Sequence, residues 1–331
     1  LLSCPHVILM FFSWINIKSL LILYKSIFQL NMKIYDCFMF FDEEMLLDLR
    51  LNIMDKYVDK FVITEATYMH SGKSKKLFFD INKFQKFKDK IIYIVVDKQP
   101  ADLLKINEND SDNEKLSKKT NNAKKREILQ INKTQDGILD AEPNDLIIIS
   151  DLDEIPNLKE IDFKKIKQKL IFFKQKMFYY KLNLFYKSLD WYGTKACRKK
   201  YLITPEYLRS TKNKKYSLWR FDILFSKFKY NSIHFVKNGG WHFSNIRKPE
   251  DLEKKMLNFL HHVDYEQSGF KLDDLKRLMK EKKVMYDHSM DKRENKWGEG
   301  EKLQTTRIEE MPEYIFKNIE KYQHWLDTEK N

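Results

Sequence analysis

Leu146-Ile147-Ile148-Ile149-Ser150-Asp151-Leu152-Asp153-Glu154-Ile155-Pro156 decides the reading of this chain. A short run of Leu and Ile reads as a buried strand, and Pro156 stops its continuation. Three carboxylates therefore sit where a central strand emerges. In open α/β sheets that edge is where ligands bind. Asp151 and Asp153 are two residues apart, so in an extended segment both side chains point the same way. Two oxygen ligands on one side suit a hard cation such as Mg²⁺ or Mn²⁺. An acidic loop that merely solvates a strand end is the plainer reading. The apolar strand before it and the stop after it favour the metal site.

Upstream, Ile34 to Phe40 reads as a first strand. Asp42 is placed as N-cap of a helix that sets Leu46, Leu49, Ile53 and Tyr57 on one face. Phe61 to Thr64 is a second strand ending in Glu65, and Ile91 to Val96 a third. Residues 101–125 are polar, with few large apolar side chains after Leu104, and read as a mobile excursion. A helix is expected from about Lys125 to Leu139, with Ile128, Ile131 and Ile138 inward. Strands alternating with helices imply a mostly parallel, Rossmann-type sheet covered on both faces. Neither a Gly-x-Gly-x-x-Gly fingerprint nor a Walker loop is present.

Past Pro156 the pattern changes to an aromatic half carrying Trp191, Tyr192, Trp219 and Trp241. Met177 to Phe185 and Ile233 to Val236 read as strands. Helices are expected over Pro249 to His262, Leu272 to Val284 and Pro312 to Leu326. Here lies a second motif, Gly239-Gly240-Trp241-His242-Phe243-Ser244. Paired glycines permit close backbone approach or positive φ. His242 can offer a neutral imidazole to a metal already held by carboxylates, although a lone His is more often a structural residue.

The chain has 331 residues, 43% of them hydrophobic, which is enough for one large domain or two closely joined ones. The formal net charge of +13 comes from Lys spread along the whole length. A nucleic-acid binder more often concentrates its charge, so no nucleic-acid partner is expected. The charge favours anionic partners, among them sugar nucleotides and acidic membrane surfaces. Cys4, Cys37 and Cys197 are odd in number and far apart, so neither a disulfide framework nor a Cys-based zinc site is indicated. A reducing, cytoplasmic setting is the simplest reading. Residues 7–30 are apolar but interrupted by Lys18 and Lys25. They make at most a marginal signal anchor, which would give membrane association; otherwise 1–31 is an extension ahead of Met32.

Taken in order, the motifs resemble glycosyltransferase family 17, the β-1,4-mannosyl-glycoprotein β-1,4-N-acetylglucosaminyltransferase group. The resemblance covers about Lys33 to Tyr265. It rests on Ile34 to Phe41, Glu44 to Leu51, Val62-Ile63-Thr64-Glu65 with Ser71-Gly72-Lys73, Ser150 to Pro156, Trp191-Tyr192-Gly193-Thr194-Lys195, and Gly239 to Ser244. It implies a GT-A-like domain over 32–265, a UDP-sugar donor, a glycan acceptor and a divalent cation; the later helices are expected to form a helical C-terminal region over 266–331 packed on the same domain. Two departures stand out. The family pattern Arg-Glu-x-x-Gln-Arg-Asn is met by Arg126, Glu127, Gln130 and Asn132, but Ile131 takes the second Arg position. A His-x-Glu expected near the end of the region is matched by His262-Val263-Asp264, with a shorter acid.

The expected reaction is inverting transfer of N-acetylglucosamine from UDP-GlcNAc to a mannosyl-type glycan hydroxyl in β-1,4 linkage. Asp151, Asp153 and His242 are the candidate metal ligands. Lys73 and Lys195 are candidate phosphate contacts, each weighed against an ordinary surface Lys. Trp191 and Trp241 are candidates for stacking on sugar or uracil, weighed against core packing. Asp36, Glu65, Arg126 and Asn132 complete the donor set. Inversion needs a carboxylate base; Glu154, Asp264 and Glu266 are the acids to test, with Glu154 equally suited to bracing the loop. The rivals are another metal-carboxylate enzyme such as a nucleotidyltransferase, and a catalytically inactive glycan- or polyanion-binding relative.

Overall fold

The computed structural model describes residues 32–214, 232–259, 262–286, 297–298 and 300–328. Residues 7–30, Cys4 and Trp219 lie outside the described residues.

A seven-stranded sheet has the order β10-β6-β9-β4-β1-β2-β3. Its strands are β1 (Ile34–Met39), β2 (Lys60–Ala66), β3 (Ile91–Val96), β4 (Leu146–Asp151), β6 (Leu170–Phe173), β9 (Lys195–Arg198) and β10 (Ile233–Val236). The β4-β1-β2-β3 half is parallel throughout, and β9 runs antiparallel between β4 and β6. The α/β expectation with a mostly parallel sheet is met.

Alternation along the strands builds two cores. Ile34 and Phe38 of β1, Phe61 and Ile63 of β2, and Leu146 and Ile148 of β4 point to one face. Tyr35, Cys37, Val62, Ile147 and Ile149 point to the other. The pairing Ile34↔Leu146, Tyr35↔Ile147 keeps both sets in register. Helix α1 (Glu44–Met54) covers the first face with Leu46, Leu47, Leu49, Leu51 and Met54. Helix α2 (Asp112–Asn132) and the following 3₁₀ turn cover the second with Ile131 and Ile138. Helix α3 (Pro205–Ser210) adds Leu208 there. Cys37 and Cys197 are buried and unpaired.

A second sheet is mixed, in the order β12-β8-β7-β11-β5. It comprises β5 (Glu154–Pro156), β7 (Gln175–Tyr179), β8 (Leu184–Trp191), β11 (Gly240–Ser244) and β12 (Gln304–Thr305). Helices α4 (Pro249–Met256), α5 (His262–Ser268) and α6 (Leu272–Lys280) place Leu252, Tyr265, Leu275 and Leu278 against it. Helices α7 (Glu313–Lys317) and α8 (Ile319–Tyr322) return Ile315 and Tyr322 to the core of the first sheet. Among the described residues no helix is long and apolar enough to cross a membrane.

Three expectations are corrected. The polar excursion is largely helix: α2 starts at Asp112 behind a capping box in which Ser111 and Glu114 satisfy each other's backbone N–H. Met177 to Phe185 is two strands, because Tyr180 takes a positive φ of 64° and turns the chain. The helix foreseen over Pro249 to His262 is α4, with α5 only beginning at His262.

Candidate active site

The chain passes from one sheet to the other at the acidic turn. Asp151 ends β4 in the first sheet, Leu152 and Asp153 turn, and Glu154 opens β5 in the second. The carboxylates are thus set by a junction between sheets rather than by an extended segment. Every carbonyl of the turn is held. Arg50 Nη1 donates to Asp151 O, Leu152 O and Glu154 O at 2.9, 3.1 and 3.0 Å. Phe243 N donates to Asp153 O at 2.8 Å, and Thr194 Oγ1 to Glu154 O at 3.0 Å.

Arg50 is one residue that sequence reasoning missed. It is fully buried, and its remaining donors reach Asp36 and Ser150 Oγ. Asp36, expected at the nucleoside, is consumed by this pair. Glu65 is likewise engaged: it accepts from Lys75 Nζ, Phe78 N, Phe79 N and Tyr93 Oη at 2.5–3.1 Å. Burial and that hydrogen bond push the Tyr93 hydroxyl up.

A two-lobed cleft opens on the turn. The first lobe, about 280 Å³, is lined by Phe41, Tyr68, His70, Asp153, His242 and Phe259 among others. The second, about 510 Å³, is lined by Glu154, Gly193, Lys195 and residues 210–213. Asp151, Trp191 and Arg209 line both lobes.

Within the cleft the charges are unequal. Burial pushes the Asp153 carboxyl up, but His242, 3.6 Å away, and Lys255 outweigh it and hold Asp153 at about 2. His242 is raised in turn: burial lowers it, and Asp153, Glu154 and Asp151 more than compensate. Glu154 is pushed up to about 7, first by burial and then by the Asp151 charge. Its Oε2 accepts from Asp151 N at 2.9 Å and its Oε1 from Trp191 Nε1 at 2.5 Å. Two glycines make this packing possible. A Cβ on Gly193 would lie 1.7 Å from Glu154 Oε1, and one on Gly240, at φ +120°, 2.2 Å from Ile155 O.

Asp151 Oδ2 accepts from Arg209 Nη2 at 2.9 Å, while its buried Oδ1 has no partner. His242 Nδ1 is also buried without a partner. The unpaired Asp151 Oδ1 beside an ionised Asp153 fits a divalent cation. No group of three His, Cys, Asp or Glu side chains among the described residues forms an ion-holding set by itself. A cation here would therefore draw further oxygens from its ligand or from water.

The other expected site residues are dispersed. Trp191 lies in the cleft, its ring 4.8 Å from that of His242. Trp241 packs on the core and donates to Glu310 O, away from both lobes. Lys73 is exposed outside them. Lys195 is buried, its ammonium bound to Arg209 O and Thr211 O, and burial pushes it down to about 8. Arg126 packs under Gly72 and donates to Gln99 and His70 O. Asn132 accepts from Glu206 N at the start of α3. Ile131 is fully buried in the core of the second face, so no phosphate contact comes from it. Asp264 and Glu266 sit on α5, and neither lines a lobe.

The family model described as glycosyltransferase family 17 matches residues 21–329. No curated protein matches the chain, and no solved structure does.

Proposed function

The chain belongs to glycosyltransferase family 17, and from that premise we propose that the cleft at Asp151 transfers N-acetylglucosamine from UDP-GlcNAc to a mannosyl-type glycan hydroxyl, in β-1,4 linkage with inversion. The observation that carries this reading is Asp151 itself. It stands at the exit of a central strand, on the wall between two lobes, with one buried oxygen unpaired. One lobe would take the donor and the other the acceptor, in a GT-A-like arrangement.

The first lobe suits the nucleotide. It lies where β1 and β2 end and offers aromatic walls from Phe41, Tyr68 and Phe259. Asp151 and Asp153, beside His242 and with further oxygens from the diphosphate or water, would hold Mn²⁺ or Mg²⁺, which when bound supplies Lewis-acid neutralisation of the diphosphate. Glu154 faces the second lobe and is the base. Of the three acids considered it alone lines the cleft, and a carboxyl near 7 is matched to accepting a proton at neutral pH. The acceptor hydroxyl oxygen bonds to the anomeric carbon, and its proton passes to Glu154. The bond from that carbon to the β-phosphate oxygen breaks, and its electron pair leaves with UDP.

Calorimetric titration of UDP with Mn²⁺, and again with a chelator, tests the donor site. A UDP-release assay with UDP-GlcNAc and mannosyl glycans tests the transfer. Metal-dependent UDP binding, and release that Asp153→Ala abolishes, are expected. Absence of UDP binding in both conditions overturns the reading; pyrophosphate release from a nucleoside triphosphate would replace it with a nucleotidyltransferase.

A further inference from the structure

The carboxylate shared by the two lobes already has a cation on it. Arg209, near the end of α3, sends Nη2 to Asp151 Oδ2 at 2.9 Å and Nη1 to Glu127 Oε1 at 3.0 Å. Its side chain stays 23% exposed. It lines both lobes, as only Asp151 and Trp191 also do among their lining residues. The bond that breaks in a transfer between two lobes lies where they meet. A group at that junction faces the leaving oxygen, where negative charge grows as the bond breaks.

Three of the neighbouring cations are engaged by protein groups, and Lys212, which lines only the second lobe, is exposed. The Lys195 ammonium is spent on Arg209 O and Thr211 O, which pins the end of α3. Lys75 is closed against Glu65, with its side chain 2% exposed. Lys255 lies toward Glu43 at 3.8 Å and lines the first lobe alone. Arg209 is held at its base by the Lys195 contact and at its tip by Glu127, a preorganised arrangement that needs no rearrangement during reaction. A planar guanidinium with several donors also matches phosphate oxygens better than an ammonium does.

Resting on the transferase reading above, we propose that Arg209 is the catalytic residue that binds the β-phosphate of the nucleoside diphosphate and stabilises it as a leaving group. As the bond between the anomeric carbon and the β-phosphate oxygen breaks, the electron pair stays on that oxygen and the guanidinium faces the new charge. Glu127 is the positioning residue behind it.

The test measures UDP and UMP affinity by calorimetry, and kcat with UDP-GlcNAc, for the wild type, Arg209→Lys and Arg209→Ala. Removal of one such donor costs roughly 10²–10³-fold in rate. The expected result is a kcat loss of about 10²-fold in R209A with partial recovery on adding guanidinium. UDP affinity falls about tenfold while UMP, which lacks the β-phosphate, binds within about twofold of wild type. A purely structural role would weaken UDP and UMP together and leave guanidinium without effect; either that pattern or a kcat within about threefold of wild type overturns the assignment. Should the wild type itself neither bind UDP nor release it from UDP-GlcNAc, the transferase reading falls first and this inference with it.

Discussion

Arg50 closes on Asp36 through two hydrogen bonds, Nε to Oδ2 at 2.8 Å and Nη2 to Oδ1 at 2.6 Å, where neither side chain reaches solvent. The same guanidinium carries three carbonyls of the acidic turn. Removing one partner of a buried pair leaves an uncompensated charge and costs roughly 3–5 kcal/mol. Arg50→Met is therefore expected to lower unfolding free energy by about that amount in urea titrations. Arg50→Lys keeps the charge but cannot span Asp36 and the turn together. It is expected to fold while losing most metal-dependent UDP affinity. A loss below about 1 kcal/mol for Arg50→Met would mean that the turn is held without it.

Gly193 makes room for the Glu154 carboxylate. A methyl group there meets Glu154 Oε1 at 1.7 Å and Trp191 Nε1 at 2.3 Å. Overpacking of this kind costs about 1–3 kcal/mol and shifts the side chains that collide. Gly193→Ala is expected to lower kcat at least tenfold, with circular dichroism unchanged and UDP affinity nearly so. Wild-type kcat in this variant would remove Glu154 from the reaction.

The positive charges that complete the cleft follow a different logic from the strand that announces it. β4 is legible because a β-branched run ended by a charged turn and Pro156 has few alternative readings. The two sheet faces follow from its alternation. Arg50 left a fainter trace. It follows Leu46 and Leu47 by four and three residues and precedes Met54 by four, so it occupies the buried face of α1. A charged residue at such a position calls for a buried partner, and Asp36 in an apolar strand is the complementary anomaly. Arg209 left none: it comes from a six-residue helix some 58 positions past Asp151. Only the antiparallel return of β9 and α3 brings it back. Helix α2 was obscured by polarity, since its first half is exposed and carries no apolar stripe, and the Ser111–Glu114 box was its one local signal.

On the proposed reading Glu154 is the base, and its elevated carboxyl is expected to set the pH profile. A base must be unprotonated, so kcat/KM is expected to climb with pH and level off above about 7. A bound divalent cation favours the carboxylate, so at saturating Mn²⁺ the limb moves lower. Glu154→Gln should lose this limb and roughly 10²–10⁴-fold in rate. Stability runs the opposite way. A carboxyl raised in the folded state contributes stability that is complete below its unfolded value, about 4.3. That contribution is lost as pH rises through about 7. Urea midpoints of wild type relative to Glu154→Gln should therefore fall between pH 5 and 7.5; a flat difference would show that burial does not shift this group.

Asp153 and His242 form the complementary case. With its carboxyl held at about 2, Asp153 contributes stability above its unfolded value, lost as pH falls toward 2. His242 is raised, so its contribution is complete below about 6.5 and lost as pH rises through its folded value. Together they stabilise most between about pH 4 and 6.5. Asp153→Asn should cost roughly 2 kcal/mol at pH 5.5 and clearly less at pH 8.5, read from urea unfolding at both values. The same protonation opposes a cation, because an imidazolium cannot be a ligand and repels positive charge. Mn²⁺ affinity of the wild type should therefore increase as pH rises through the His242 value, and His242→Gln should remove most of that increase. Equal Mn²⁺ affinity at pH 6 and 8.5 would exclude His242 from the ion's surroundings.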